Sequence, residues 1–444
     1  VADHTRRRPF AVAVAGATAG MTAVLAFGHV ADAFAATLPG SAAVVGVGGK
    51  DNPTSDRIQN KFQRNYLPYG GEFVGAADNQ FYGVNYPATL PIDESVTQGR
   101  QPLIDTVAEA RTASGPEGTI YLVSYSEGTI LAEKYKRELD AGTVPSPGGN
   151  IEFVYIAAPT VPNGGIYARF PNLGPLSLLG FTSTGASAPT SYDQTFLTIE
   201  YDPVGDFPAY ANPLSLANAA AGFFYLHGDP TPDAADLNDP DAAIVKSVAK
   251  PGGGTDTYIL VKTEHLPLLQ PIRDVSTALN TTALTEPVLG AIEPTLKLAV
   301  DMGYTDRDYS DPATPTRFSL ITPPKRIIDT VNALPGAIQE GADNFKGGIP
   351  STTSPSTTSP SVTSPSATPA TTERIAAKPE APKKPVKRTP TQRRDDVRNS
   401  MSDVAKNVRD SSKPKPKSGS KSEPKSGPKH QAKPQRTADT DKAA

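Results

Sequence analysis

The chain has 444 residues, 20% of them charged, 45 prolines, no cysteine and a formal net charge of −3. Disulfides, zinc thiolates and a cysteine nucleophile are thereby excluded, and a body of about 300 residues must be held together by burial alone, for which it is large enough. The small net charge conceals a division: residues 351–444 carry 20 Lys+Arg against 9 Asp+Glu, a net of +11, and the rest 23 against 37, a net of −14, an acidic body that repels nucleic acid.

At the start, Arg6, Arg7 and Arg8 precede an apolar run over residues 9–28, and Ala33-Phe34-Ala35 offers a small-x-small cleavage site before Ala36. This predicts a secretory signal peptide over residues 1–35 and a protein secreted or held in the cell envelope. A retained anchor is the alternative, because the run approaches spanning length; its richness in Ala and Gly and poverty in Leu weigh against it.

The body, residues 36–310, alternates strand-like and helix-like segments. A short apolar run at 42–47 ends in Gly48-Gly49, as a strand buried on both faces does before a tight loop. Residues 51–66 look helical, 81–87 extended, 96–112 helical with Leu103, Val107 and Ala110 on one side, 119–124 extended and 129–139 helical. Strands follow at 151–157, running into Pro159, and at 195–201, stopping at Asp202-Pro203; a helix at 213–224 and a last clear strand at 257–262 complete the body. Residues 173–189, rich in Gly, Ser and Leu, read as a surface loop, with a lid over an acyl groove as the rival. Residues 311–349 are expected to form a helical extension. From 350 a Ser/Thr/Pro-rich and then Lys/Pro-rich tail has too little apolar surface to offset the entropy of ordering, and is predicted to be disordered. Ser/Thr-Pro repeats are also the pattern of O-glycosylated stalks. A flexible basic tail fits a cell wall or another anionic surface, or it is simply solvated.

The alternation predicts an α/β fold, doubly wound around a mostly parallel sheet. Functional groups in such sheets gather at the carboxyl ends of the strands, which sets Gly48, Ser126, Pro159, Asp202 and Thr263 on one rim. In YLVSYSEGT the strand breaks at Ser126 and a helix begins at once, the way an α/β hydrolase presents its nucleophile. Ser124 stands where that motif usually has its first glycine, and Gly128 supplies the second.

A serine hydroxyl needs a base, normally a histidine oriented by a carboxylate. Of five histidines, two lie in the body, His227 and His265. Topology slightly favours His265, directly after the last strand; His227 comes at the end of a helix, as in compact cutinase-type enzymes. Asp202, at a strand terminus, is the preferred acid, with Asp206 its nearest competitor. The backbone N–H of Glu127 and one from the Gly48-Gly49 loop, that of Gly49, are the expected oxyanion donors. That loop lacks the GxGxxG spacing and the Lys-Ser/Thr ending of nucleotide-binding loops. The chemistry calls for neither cofactor nor metal.

Eight stretches in order over residues 42 to 304 carry a resemblance: VGVGG, VNYPA, YLVSYSEGT, AAPTVPNGGIYARFP, IEYDPVGDFP, NAAAGFFYLHG, TEHLPLLQPIR and EPTLKLAVDMGY. In these the chain resembles the PE-PPE C-terminal domain, a cutinase-related serine α/β-hydrolase family of lipid-rich envelopes. The resemblance implies carboxylesterase activity on acyl esters, or acyl transfer onto envelope glycolipids. It also implies Ser126 as nucleophile, Asp202 as acid and His227, rather than His265, as base. The sequence departs from the family at Ser124, at Pro230 where an aromatic residue is expected, and in its start, which reads as a signal peptide rather than a PE or PPE module. Ser124 in the first motif position and the basic tail motivate a second reading, a non-catalytic envelope protein that binds lipid or is tethered to the wall.

Overall fold

The computed structural model describes residues 37–348, apart from 177, 178, 252 and 306. The expected signal peptide and tail lie outside the described residues.

In chain order the elements are β1 (Ala43–Val47), β2 (Leu67–Tyr69), β3 (Glu72–Val74), β4 (Phe81–Gly83), α1 (Ile92–Ser114), β5 (Thr119–Tyr125), α2 (Glu127–Asp140), β6 (Asn150–Ile156), α3 (Ile166–Arg169) and β7 (Gln194–Ile199). Then come α4 (Pro213–Tyr225), α5 (Pro230–Ala234), β8 (Ala243–Ala249), β9 (Thr255–Val261), α6 (Gln270–Ala278), α7 (Thr282–Asp301) and α8 (Pro324–Gly348). Seven strands form one sheet in the order β4-β1-β5-β6-β7-β9-β8, all parallel except β8, which runs antiparallel to β9. This is the doubly wound, mostly parallel α/β sheet the alternation predicts.

Burial follows the period of two that a strand imposes. On β5, Ile120 and Leu122 enter one core with Leu103 and Val107 of α1 and Leu131 and Tyr135 of α2. Tyr121 and Val123 enter the opposite core with Ile58, Phe62 and Leu237. A third, smaller cluster joins Tyr201 to Leu266, Leu269, Leu289, Val300 and Tyr304, seating α7 against the end of β7.

Several segments differ from the sequence reading; the expected extension over 311–349, for one, is helical only from Pro324. Residues 51–66 are not an α-helix: Asp56–Arg64 makes 3₁₀ turns broken at Lys61, Phe62 and Gln63, the last two with φ of 50° and 55°. The break buries Phe62 while delivering the Lys61 ammonium to acids of α5. The hairpin β2–β3 and the strand β8 are additions, short or half-exposed and so without a continuous apolar run.

The loop over residues 173–189 is tied to its surroundings at several places. Ile92 and Asp93 donate to the carbonyls of Leu179 and Gly180 at 3.1 and 2.7 Å, and Ala188 N–H donates to Glu133 of α2 at 2.8 Å. Glu133 is itself paired at 2.9 Å with Lys136, both fully buried, and Lys136 also donates to Gln194 on β7 at 2.5 Å. A buried pair satisfied this completely fixes one arrangement of loop, helix and sheet.

Candidate active site

Ser126 sits between β5 and α2 with φ 49° and ψ −115°, a strained conformation for a residue with a Cβ. The strain is held in place by its surroundings. Ser126 N–H donates to Ile156 O on β6 at 3.0 Å, and its carbonyl accepts from both the N–H and the hydroxyl of Thr129, at 3.0 and 2.6 Å. Gly128 is required because α2 begins against the end of β1: a Cβ there would lie 2.4 Å from the carbonyl oxygens of Val47 and Gly48. Ser124, in the usual glycine position, is fully buried within β5 and donates its hydroxyl to Val154 O at 3.1 Å. Its side chain is accommodated and its polarity satisfied.

Asp202 follows β7 on the same rim and is completely buried. Its Oδ1 accepts the N–H of Val204 at 3.1 Å, which fixes the carboxylate. His227 follows α4, and its Nδ1 lies 2.9 and 3.0 Å from the two Asp202 oxygens. With an N–H on Nδ1 donated to that carboxylate, Nε2 carries the free lone pair. Nε2 is 2.8 Å from Ser126 Oγ. The imidazole is flanked by Phe223 and Tyr125, with ring centroids 5.4 and 5.8 Å away and planes tilted by 13° and 20°. Tyr125, one residue before the serine, donates its hydroxyl to the carbonyl of His227.

The competitors lie elsewhere. Asp206 accepts the N–H of Tyr201 at 2.8 Å and forms a two-pronged pair with Arg307 at 2.9 and 2.5 Å, so its charge is committed to holding the loop. His265 pairs with Glu293 at 3.1 Å beside a cavity of about 290 Å³ walled by Glu264, Arg273 and Lys297. The slight topological preference for His265 gives way to the helix-end position: His227 Nε2 lies 2.8 Å from Ser126 Oγ, whereas His265 is held by Glu293.

The two expected oxyanion donors flank the serine. The Glu127 N–H is the first of α2 and has no acceptor a turn back in the helix. Of the two loop glycines, Gly48 donates its N–H to Ser55 Oγ at 2.8 Å. Gly49 is the one against Ser126: a Cβ there would lie 3.2 Å from Ser126 Cβ and 2.9 Å from the Tyr125 ring.

Two features at the site carry no sequence signal. The Glu127 side chain turns inward, 3% exposed, and accepts from Ser95 Oγ at 2.6 Å, while its Oε2 is buried without a hydrogen-bond partner. Burial pushes its carboxyl up to about 7, against the opposing pull of the Ser95 hydrogen bond and of Lys50. Behind His227, Lys61 is wholly buried and pairs with Asp229 and Asp233 at 2.7 Å each, its ammonium 4.6 Å from the Tyr125 ring centroid. Burial raises both carboxyls; at Asp229 the cations Lys61 and Arg57 outweigh it and hold the group below its ordinary range, whereas at Asp233 burial wins. Among the described residues no cluster of three His, Asp or Glu is placed to ligate a metal.

The PE-PPE domain model matches residues 71–305. Esterase PE16 of Mycobacterium tuberculosis is 34% identical over 291 residues, 62% of this chain and 50% of the relative. The uncharacterized PPE family protein PPE28 of the same organism is 32% identical over 272 residues, 60% of this chain and 39% of the relative. The SL1278 acyltransferase Chp1, also from that organism, is 24% identical over 244 residues, 54% of this chain and 55% of the relative. The chain thus spans about half the length of the curated relatives it matches. No solved structure matches it.

Proposed function

The chain belongs to the PE-PPE domain family, whose members include an esterase and acyltransferases, and from that premise we propose that it is a serine esterase or acyltransferase acting on acyl esters. The observation that carries the reading is the relay of Ser126 Oγ to His227 Nε2 at 2.8 Å and His227 Nδ1 to Asp202 at 2.9 Å. In the proposed cycle Nε2 takes the hydroxyl proton as Oγ attacks the ester carbonyl. Asp202 stabilises the imidazolium, and the N–H groups of Glu127 and Gly49 stabilise the tetrahedral oxyanion. The imidazolium then protonates the departing alkoxide, leaving an acyl group on Ser126. Water, or a sugar hydroxyl of an envelope glycolipid, gives its proton to Nε2 and receives the acyl group.

A fluorescent acyl-phosphonate tests the nucleophile. Wild type is expected to label and Ser126→Ala is not; labelling that survives the substitution removes the assignment. Hydrolysis of p-nitrophenyl butyrate separates the enzyme from the non-catalytic lipid binder, for which wild type and Ser126→Ala would be equally inactive. Ser124 no longer favours that second reading, since its hydroxyl is satisfied within β5. Export to the envelope remains part of the proposal and rests on the sequence of residues 1–35.

A further inference from the structure

Helices α7 and α8 pack as an antiparallel pair. Arg326 near the start of α8 donates to Asp301 O at the end of α7 at 3.4 Å, and Asn344 near the end of α8 donates to Gly290 O at 3.2 Å. The seam is close, because a Cβ on Gly341 would lie 2.0 Å from Ala291 O. On α8, Ala337 and Gly341 face this seam, yet the large apolar residues do not. Ile327, Val331, Leu334, Ile338 and Phe345 recur at helical spacing and are all exposed, Val331 by 60%. At 100° per residue their stripe centres about 80° round the helix from the seam. On α7, Leu284, Val288 and Ile292 form a second exposed stripe, about 115° from its seam in the same rotational sense.

In an antiparallel pair, equal senses of displacement bring both stripes to one side. The other side fixes that geometry: Glu286, Glu293 and Lys297 of α7 and Glu340 and Asn344 of α8, displaced in the opposite sense, line one common cavity with His265. The hairpin is therefore polar on one side and aliphatic on the other. An aliphatic face that no described residue covers marks an interaction surface.

Two observations select its occupant. The face is made of Ile, Val and Leu with one Phe, and lacks the Trp, Tyr and Arg anchors on which protein interfaces concentrate their binding energy. The residues that follow α8 in the chain, 351–444, carry a net charge of +11, which is complementary to an anionic surface. Apolar insertion and a polybasic segment are the two signals that together hold a protein on an anionic lipid layer, and no described helix is long and apolar enough to cross one. We propose that the aliphatic face of the α7–α8 hairpin docks on an anionic lipid surface, with the basic tail supplying the electrostatic attraction.

The test is flotation of the full chain with phosphatidylcholine vesicles made with and without phosphatidylglycerol. Binding is expected with phosphatidylglycerol and to weaken as salt rises. The double variant Val331→Glu/Ile338→Glu is expected to bind about tenfold or more weakly, since two buried aliphatic contacts are worth at least that. Its thermal unfolding and its rate on soluble p-nitrophenyl butyrate are expected to match wild type, which keeps this result separate from the catalytic reading. Undiminished vesicle binding by the double variant assigns all attraction to the tail and overturns the proposal. So does an absence of vesicle binding accompanied by a wild-type dimer that the double variant dissociates, which makes the face an interface between two copies.

Discussion

At Asp202 and Asp206, four residues apart, two buried carboxylates have been given different work by their partners. One faces an imidazole, the other a guanidinium. Asp202→Asn is expected to leave folding intact and lower kcat by about 10⁴, because the amide no longer fixes the imidazole tautomer. Asp206→Asn removes the nearer counter-charge of Arg307, 18% exposed, leaving it Glu200 at 3.7 Å, and is expected to appear as lost stability, on the order of 3 kcal/mol in urea unfolding, with kcat altered far less. Glu127 supplies a pH dependence of stability. Its carboxyl is raised from 4.5 to about 7 in the folded protein. Below pH 4.5 both states hold the proton, and the favourable contribution is fully present. As pH rises from there through 7, the unfolded chain releases the proton first and stability falls, by about 3 kcal/mol. Glu127→Gln imitates the neutral form. The stability of this variant relative to wild type, from urea unfolding at pH 4.5 and pH 8, is expected to rise by that amount; a constant difference would mean the buried carboxyl is not protonated. None of this was legible in the sequence, where Glu127 reads only as the residue whose N–H follows the nucleophile and its inward turn onto Ser95 depends on α1.

At the scale of elements, His227 is positioned by a short helix and a broken 3₁₀ segment about 170 residues apart in the chain. Lys61 bridges to Asp229, just before α5, and to Asp233 within it; the first helical residue is Pro230, the position where the family resemblance leads one to expect an aromatic. Lys61→Met keeps the volume and removes the charge, leaving two acids without their buried cation. The expected cost is about 3–5 kcal/mol, visible as a Tm lower by about 10 °C, together with a lower kcat as the loop carrying His227 loosens. The long apolar strands β1, β5, β6, β7 and β9 could be read directly, since each is buried on both faces. β8 could not, because its edge position exposes alternate residues, and β2 and β3 are too short to show a period. Residues 56–64 carried a helical spacing of Ile58 and Phe62 but fold as turns, the positive φ at Phe62 being dictated by contacts that no local pattern encodes. Which histidine faces Ser126 was equally hidden from topology; the spacing of both satisfied the chain order of this fold.

At the scale of the whole molecule, charge and edges are managed separately. The sheet ends on one side in the three-residue β4 and on the other in the antiparallel β8, which carries Lys246; short or charged edges of this kind discourage pairing between sheets. Charge is divided along the chain, with residues 351–444 at +11 and the preceding part at −14. The full chain, despite its net −3, is expected to be retained on a cation exchanger at neutral pH, and removal of residues 351–444 to switch retention to an anion exchanger. Flow-through of the intact protein on the cation exchanger would mean that the two charge sets neutralise each other within the molecule.

The hydroxyl that Ser124 gives to Val154 has a practical corollary. A search pattern that insists on glycine two places before the serine of the turn rejects this chain outright, although the strand accommodates a small side chain there, and a hydroxyl when it bonds the neighbouring strand's carbonyl. Relaxing that one position to glycine, alanine or serine, while keeping Gly128 strict, where two carbonyl oxygens leave no room for a methyl group, would recover such chains without admitting ordinary strand-to-helix turns.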